Sequence, residues 1–285
     1  MSYPHLRNYT LNNIVVDTDG VNSFNRAELG RKYFQNAQII LTTAYSAKDL
    51  ANVIQAGAVI VDETGLVGLD TMAMLFSSLR HDNGKILVIG DDKQLPPASH
   101  DFVGYSLFSS ILRQYETTLL KTEYRFNKEI LDLINPNYHY QLRADDSVKD
   151  ISTADITTKS YNGTNNNLTK ILDHENRIVF VDTNGCSRED KHFINTGEIS
   201  VVKELIDGFL NMGIDDVIIT TPYKQQERMF QFHLNNIKNN PKIRVGTIDE
   251  FQGQEVEVTI VSMARSNNYS DLEKAIGFVN IPRIH

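Results

Sequence analysis

Short runs of apolar, largely β-branched residues recur along the chain, each followed at once by a polar cluster. In the first part these runs are 37–41 (AQIIL), 58–61 (AVIV) and 86–89 (ILVI), followed by TTAYSA, DETG and GDDKQLPP. Near-continuous apolar runs of this length predict strands buried on both faces of a parallel sheet. Helical spacing fills an interval between them, at 69–79 (LDTMAMLFSSL). The later part repeats the plan, with predicted strands at 177–181 (RIVFV), 216–219 (DVII), 243–246 (IRVG) and 258–262 (VTIVS). Between them, 198–210 (EISVVKELIDGFL) puts Ile199, Val202, Leu205, Ile206, Phe209 and Leu210 on one helical face. Strands alternating with helices predict an α/β class with a parallel sheet in each half. The expected division is 1–117 and 118–285. A stretch rich in Asp, Ser, Thr and Asn at 143–170 is expected as a polar surface insertion. The first thirty or so residues carry no such pattern and read as the tail of a domain.

Composition narrows the class. With 285 residues, 41% apolar and 22% charged, the chain has the make-up of an ordinary globular protein. No apolar run approaches the ~20 residues of a membrane span, so no membrane partner is expected. Cys186 is the only cysteine, which excludes an internal disulfide and a cysteine-built zinc site. An intracellular setting, cytoplasmic or nuclear, is the expectation. A formal net charge of −8 argues against a whole-surface electrostatic grip on nucleic acid, though not against a polar channel.

In open parallel sheets, ligands bind beyond the carboxyl ends of the strands. The polar clusters there are therefore the candidate sites. AVIVDETG delivers Asp62 and Glu63 together at a strand end. Adjacent carboxylates can divide their work, one holding Mg²⁺ and the other orienting or deprotonating an attacking water. A solvated loop start is the plainer reading of that pair alone. In KILVIGDDKQLPPAS, Gln94 offers a neutral amide to a γ-phosphate oxygen, ahead of two stiffening prolines. Alone this is a Pro-rich turn; the two motifs in succession are far more specific.

With these two motifs the sequence resembles the superfamily 1 nucleic-acid helicases, and further blocks agree. LLKTEYRFN contains the Tyr124-Arg125 pair of the family. TTPYKQQ resembles its Ser/Thr-Pro-Tyr-x-x-Gln motif, and VGTIDEFQGQEVEVTIVSMARSN resembles its long motif V. IGFVNIPR resembles the opening of motif VI. YHYQLRADDSV and FVDTNGC are most similar to the up-frameshift branch, in particular the immunoglobulin mu-binding protein helicases.

The resemblance implies two RecA-like lobes, ATP and Mg²⁺ as ligands, and 5′-to-3′ movement on single-stranded RNA or DNA. It implies that Asp62 holds Mg²⁺, Glu63 is the general base and Gln94 contacts the γ-phosphate. Arg125 would act as an arginine finger. Gly253 and Glu255 would meet the nucleotide or couple the lobes, and Arg283 matches the first arginine of motif VI. Thr42, Thr43, Thr221, Pro222, Tyr223 and Thr247 sit at strand ends, where hydroxyls and backbone N–H groups can hold phosphates without net charge. Tyr223 and Pro222 would offer a flat face to sugar or base. For each threonine, a helix N-cap is the equally good alternative.

The chain departs from the family in three ways. None of its sixteen glycines begins G-x-x-x-x-G-K-[ST], the loop that cradles β- and γ-phosphates. The sequence ends at Arg283-Ile284-His285, before the second arginine of motif VI. Leu66 and Glu123 stand where the family has glutamines. The expectation is a helicase core truncated in both lobes, without independent ATPase activity. Its alternatives are one half of a split helicase whose second chain supplies the P-loop, and a non-hydrolytic binding module. Another class of P-loop NTPase fits less well, because the Tyr-Arg, Pro-Tyr and Phe-Gln-Gly-x-Glu series is foreign to it.

Overall fold

The run AVIV forms β1 (Ala58–Val61), which pairs in parallel with β2 (Lys85–Val88), Val61 opposite Val88. Between them lies α1 (Leu69–Ser77), and α2 (Leu107–Gln114) follows. This computed structural model describes residues 34, 37–44, 46–47, 54–94, 107–183, 188–234, 242–271 and 274–275. The chain divides into two compact units between Thr117 and Thr118.

In the first unit Met72 and Leu75, one helical turn apart on α1, are buried with Val61 and Ala47. The spacing of three follows from the 3.6-residue repeat and turns both side chains onto the sheet. The other face of the two strands keeps Ile60 and Leu87 exposed.

The second unit starts with a short parallel pair, β3 (Thr122–Glu123) and β4 (Arg143–Ala144), around α3 (Lys128–Ile134). Asn127 caps α3, its Oδ1 accepting from Ile130 N at 3.0 Å. After α4 (Thr153–Ile156) and α5 (Asn166–Ile171) comes α6 (Thr196–Met212). Asn195 caps its start and Gly213, at φ 84°, ends it in the left-handed conformation that glycine adopts freely. Three parallel strands follow, β5 (Val217–Thr221), β6 (Ile243–Thr247) and β7 (Val258–Val261), in the order β6-β5-β7, with α7 (Lys224–His233) after β5. Central β5 is buried at every residue, as a strand covered on both faces must be. Val217 packs with Leu205, Met212 and Ile214, whereas Ile219 packs with Ile199, Val202, Ile206 and Phe230. The α/β class with parallel sheets is the observed architecture.

Three expectations differ from the structure. The run at 37–41 forms no strand, and Ile39 and Leu41 are exposed. The run at 177–181 also forms no strand. There Arg177 anchors the segment instead, donating to Glu129 Oε1 at 2.7 Å and to the carbonyls of Ile151 and Asp150 at 3.1 Å. Apolar β-branched composition supplies strand propensity, but a strand also needs a neighbour with matching register. The polar stretch at 143–170 is not simply a surface insertion. Its Leu168 is buried, with Leu172, against Leu205 and Met212, and Thr157 Oγ1 donates to Met212 O at 2.5 Å.

Candidate functional site

The carboxyl ends of β1 and β2 lie side by side, which brings the two acidic motifs of the first unit together. Thr64 N donates to Ile89 O at 2.9 Å, and Ile89 N donates to Val61 O at 2.9 Å. Thr64 is fully buried, its Oγ1 closing back onto Val61 O at 2.9 Å. Gly65 sits so close to the second loop that a Cβ there would meet Asp91 O at 2.9 Å. This close approach explains why DETG carries a glycine at that position.

Asp62 and Glu63 are exposed at the head of this double loop. Asp62 Oδ1 accepts from Glu63 N at 2.9 Å. Glu63 has φ 49° and ψ 42°, a left-handed conformation that costs a non-glycine residue about 1–2 kcal/mol. Such strain concentrates at functional positions. On the second loop, Asp91 Oδ1 accepts from Lys93 N at 2.9 Å and Gln94 Nε2 donates to Asp91 Oδ2 at 3.4 Å. Gln94 is therefore held on the same loop as Asp91, exposed, beside the Asp-Glu turn. The prolines after it lie outside the described residues.

Among the described residues no group of three or more His, Cys, Asp or Glu side chains is gathered to hold a metal ion. Mg²⁺ is commonly held through one or two carboxylates together with substrate phosphates, rather than in an all-protein cage. The exposed carboxylate of Asp62 at a strand end fits that donor set.

In the second unit, the Tyr124-Arg125 turn is built by Glu123. Its carboxylate accepts from Arg125 N at 2.8 and 2.9 Å and from Phe126 N at 2.6 Å. Arg125 Nε then donates to Glu255 Oε1 at 2.6 Å. Glu255 follows the turn at Gly253, where φ is 78°. Arg244 steadies this turn, donating to Gln254 Oε1 at 2.6 Å and to Asp216 Oδ1 at 2.9 Å. Arg283 lies outside the described residues.

Thr221 and Thr247 are direct cross-strand partners at the ends of β5 and β6. Thr221 is buried and its Oγ1 accepts from Tyr223 N at 3.4 Å. Pro222 is half-buried. Tyr223 is only 6% exposed, its ring 5.2 Å from that of Phe193. The expected flat face for a base is thus turned into the protein at Tyr223, where Phe193 packs on the ring and Arg265 hydrogen-bonds the phenol. Burial pushes the Tyr223 phenol up, partly offset by the Arg265 cation and its hydrogen bond. Thr43 makes the bond of an N-cap, its Oγ1 accepting from Ser46 N at 3.2 Å. Thr42 is exposed, with its Oγ1 donating to Thr43 O at 3.3 Å.

Two family models described as AAA domain match, over residues 103–284 and 19–148. The chain belongs to the AAA-domain family. The relatives of this AAA-domain chain include an uncharacterized ATP-dependent helicase of Methanocaldococcus jannaschii, 29% identical over 66% of the chain and 29% of that protein. The DNA replication ATP-dependent helicase/nuclease JHS1 of Arabidopsis thaliana is 28% identical over 73% of the chain and 16% of its own length. DNA-binding protein SMUBP-2 of Rattus norvegicus is 27% identical over 66% of the chain and 20% of its own length. The AAA-domain chain therefore spans less than a third of each of these relatives, and its likeness is to superfamily 1 helicases.

Several residues that sequence reasoning did not single out organise the second unit of this AAA-domain chain. Gln226, Asn195, Glu198 and Glu189 form polar contacts at the ends of β5 and β7. Only Gln226 carried a signal, as the last residue of TTPYKQQ. Asn195 and Glu198 lie at an ordinary-looking helix start and Glu189 in the coil before it, and tertiary folding alone brings them to the site.

Proposed function

We propose that this chain forms the catalytic-carboxylate and strand-binding part of an ATP-dependent 5′-to-3′ helicase, a translocase on single-stranded RNA or DNA. In kind the reading takes it as similar to the immunoglobulin mu-binding protein helicases of the up-frameshift branch. The observation that carries the reading is the double loop of the first unit. Two motifs separated in sequence, Asp62-Glu63 and Asp91 to Gln94, share one backbone scaffold at the carboxyl ends of adjacent parallel strands.

In this reading Asp62 holds Mg²⁺ with the nucleotide phosphates. When bound, the ion draws negative charge from the phosphate oxygens. Glu63 orients the attacking water and accepts its proton, and Gln94 senses the γ-phosphate. Arg125 supplies the cation that a transferring phosphoryl group requires. Glu255 holds that guanidinium, and Arg283 would add a second one. Pro222 and Thr247 stand at the ends of two adjacent strands; Thr221, the cross-strand partner of Thr247, is fully buried and accepts from Tyr223 N instead, and Thr42, with no strand before it, is a candidate on its exposed hydroxyl alone. Hydroxyl and backbone N–H groups there suit an acidic protein, since they grip phosphates without a basic surface.

The sequence contains no phosphate-cradling G-x-x-x-x-G-K-[ST]. Hydrolysis therefore depends on a P-loop outside these 285 residues, in a longer polypeptide or on a second chain. An intracellular site of action, cytoplasmic or nuclear, belongs to the same proposal. Among the described residues no helix is long and apolar enough to cross a membrane. The test is binding of labelled oligo-dT and oligo-U to the chain. Binding to either that is abolished by Thr247→Val supports the reading; binding to neither overturns it.

A further inference from the structure

The loops after β5 and β7 are joined by an unbroken polar relay. Gln226, in the first turn of α7, is fully buried. Its Oε1 accepts from Asn195 N at 2.9 Å, and its Nε2 donates to Asn195 O at 3.2 Å and to Ser262 Oγ at 3.1 Å. Ser262, just beyond β7, passes the chain on, its Oγ donating to Glu198 Oε2 at 2.6 Å. The same Glu198 oxygen accepts from Ala264 N at 3.0 Å. Asn195 Nδ2 closes the circuit by donating to Glu198 Oε1 and to Ala264 O, both at 3.2 Å.

Ala264 is where this relay ends, and it is strained: fully buried, at φ 61°. An alanine holds that conformation only when its surroundings over-determine it. The kink launches Arg265, whose guanidinium lies 4.9 Å over the Phe193 ring and 3.4 Å from Glu189 Oε1. Phe193 in turn packs on Tyr223. The two loops are thus tied twice, through the Gln226–Ser262–Glu198 relay and through the Tyr223–Phe193–Arg265 stack.

We infer that Gln226, Ser262 and Glu198 are positioning residues, which lock the loops after β5 and β7 into one rigid platform for a single strand. The inference rests on the proposed role of Pro222 and Thr247 in holding that strand. None of the three relay residues needs to touch the strand. They act by keeping the competent geometry populated, and a strand binds more weakly in proportion to any loss of that population.

Ser262 offers the cleanest test, since Ser262→Ala removes one hydroxyl from the middle of the relay and Ser262→Thr keeps it. Labelled oligo-dT or oligo-U is titrated into wild type and both variants at several salt concentrations, with backbone hydrogen exchange followed in parallel. Ser262→Ala is expected to weaken binding about tenfold if the platform falls to a tenth of its population. The salt slope is expected to stay unchanged, because no phosphate contact is lost. Ser262→Thr restores affinity, and the amides of Asn195 and Ala264 lose protection together in the alanine variant. Wild-type affinity in Ser262→Ala, or independent exchange of those two amides, overturns the inference. Should wild type bind no strand, the functional reading fails, while the exchange measurement still decides whether the relay couples the two loops.

Discussion

Arg125 and Glu255, 130 positions apart in sequence, meet at 2.6 Å within the second unit. The pair is open to solvent, with side chains 45% and 66% exposed. Exposed pairs of this kind contribute about 0–1 kcal/mol to stability. Arg125→Ala is therefore expected to leave the thermal midpoint almost unchanged. In a preparation that hydrolyses ATP, the same change is expected to lower kcat by about 10³-fold or more. A large fall in Tm with turnover retained would mark Arg125 as structural.

Glu63 tests the strained turn. Glu63→Gly relieves the left-handed conformation, so it is expected to be more stable than Glu63→Ala by about 1 kcal/mol. Chemical denaturation of the two variants measures the difference. Equal stability would show that the turn relaxes out of the left-handed region.

Gly65→Ala is expected to destabilise the first unit by about 1–3 kcal/mol, because the added methyl meets a backbone oxygen that cannot swing aside. That oxygen belongs to Asp91, 2.9 Å from the new Cβ. A neutral effect in denaturant titration would mean that the two loops are not packed as described.

Lys224 is held between Glu227 Oε2 at 2.7 Å and Glu250 Oε1 at 2.6 Å, beside the end of β5. Its two carboxylate partners raise the lysine pKa, and the lysine holds Glu250 below the usual carboxylate range. Glu250→Gln removes one of these competitors for the ammonium. Tighter binding of a single strand is expected, with the salt slope steeper by about one. An unchanged slope would show that Lys224 does not reach the strand.

Asp190 supplies a pH dependence. Its pKa is lowered chiefly by the Ile194 N–H, which donates to Oδ1 at 2.9 Å, helped by His192 N at 2.8 Å. A carboxylate depressed on folding stabilises the native state fully above its ordinary pKa, about 4, and the contribution is lost as pH falls from there through the lower folded value. Asp190→Ala is expected to lower Tm at neutral pH and to flatten the acid limb. An unaltered acid limb would rule Asp190 out as its source.

The legible part of this protein was the part written locally. AVIV and VTIV became β1 and β7 because each has strand propensity and finds a parallel neighbour, β2 and β5 respectively. The placement of Asp62, Glu63 and Gln94 beyond strand ends was legible because strand ends announce themselves by the change from apolar to polar. The segments at 37–41 and 177–181 misled for the opposite reason, since pairing depends on partners remote in sequence. Tyr223 was read as offering a flat face, but Phe193, 30 positions away, packs on its ring and Arg265, 42 positions away, hydrogen-bonds its phenol. The Asn195–Glu198 part of the relay has no sequence signature at all, because Asn-x-x-Glu is also an ordinary helix start.

The most direct test supplies the missing phosphate loop and measures phosphate release. The chain is assayed with ATP, Mg²⁺ and oligo-dT or oligo-U, both alone and joined to or mixed with a P-loop-bearing segment of a superfamily 1 helicase. Turnover that needs the P-loop segment, rises with single strands and disappears in Glu63→Gln is the expected result. Turnover that survives Glu63→Gln, or strand binding with no hydrolysis in either arrangement, would contradict the assignment of this double loop to ATP hydrolysis.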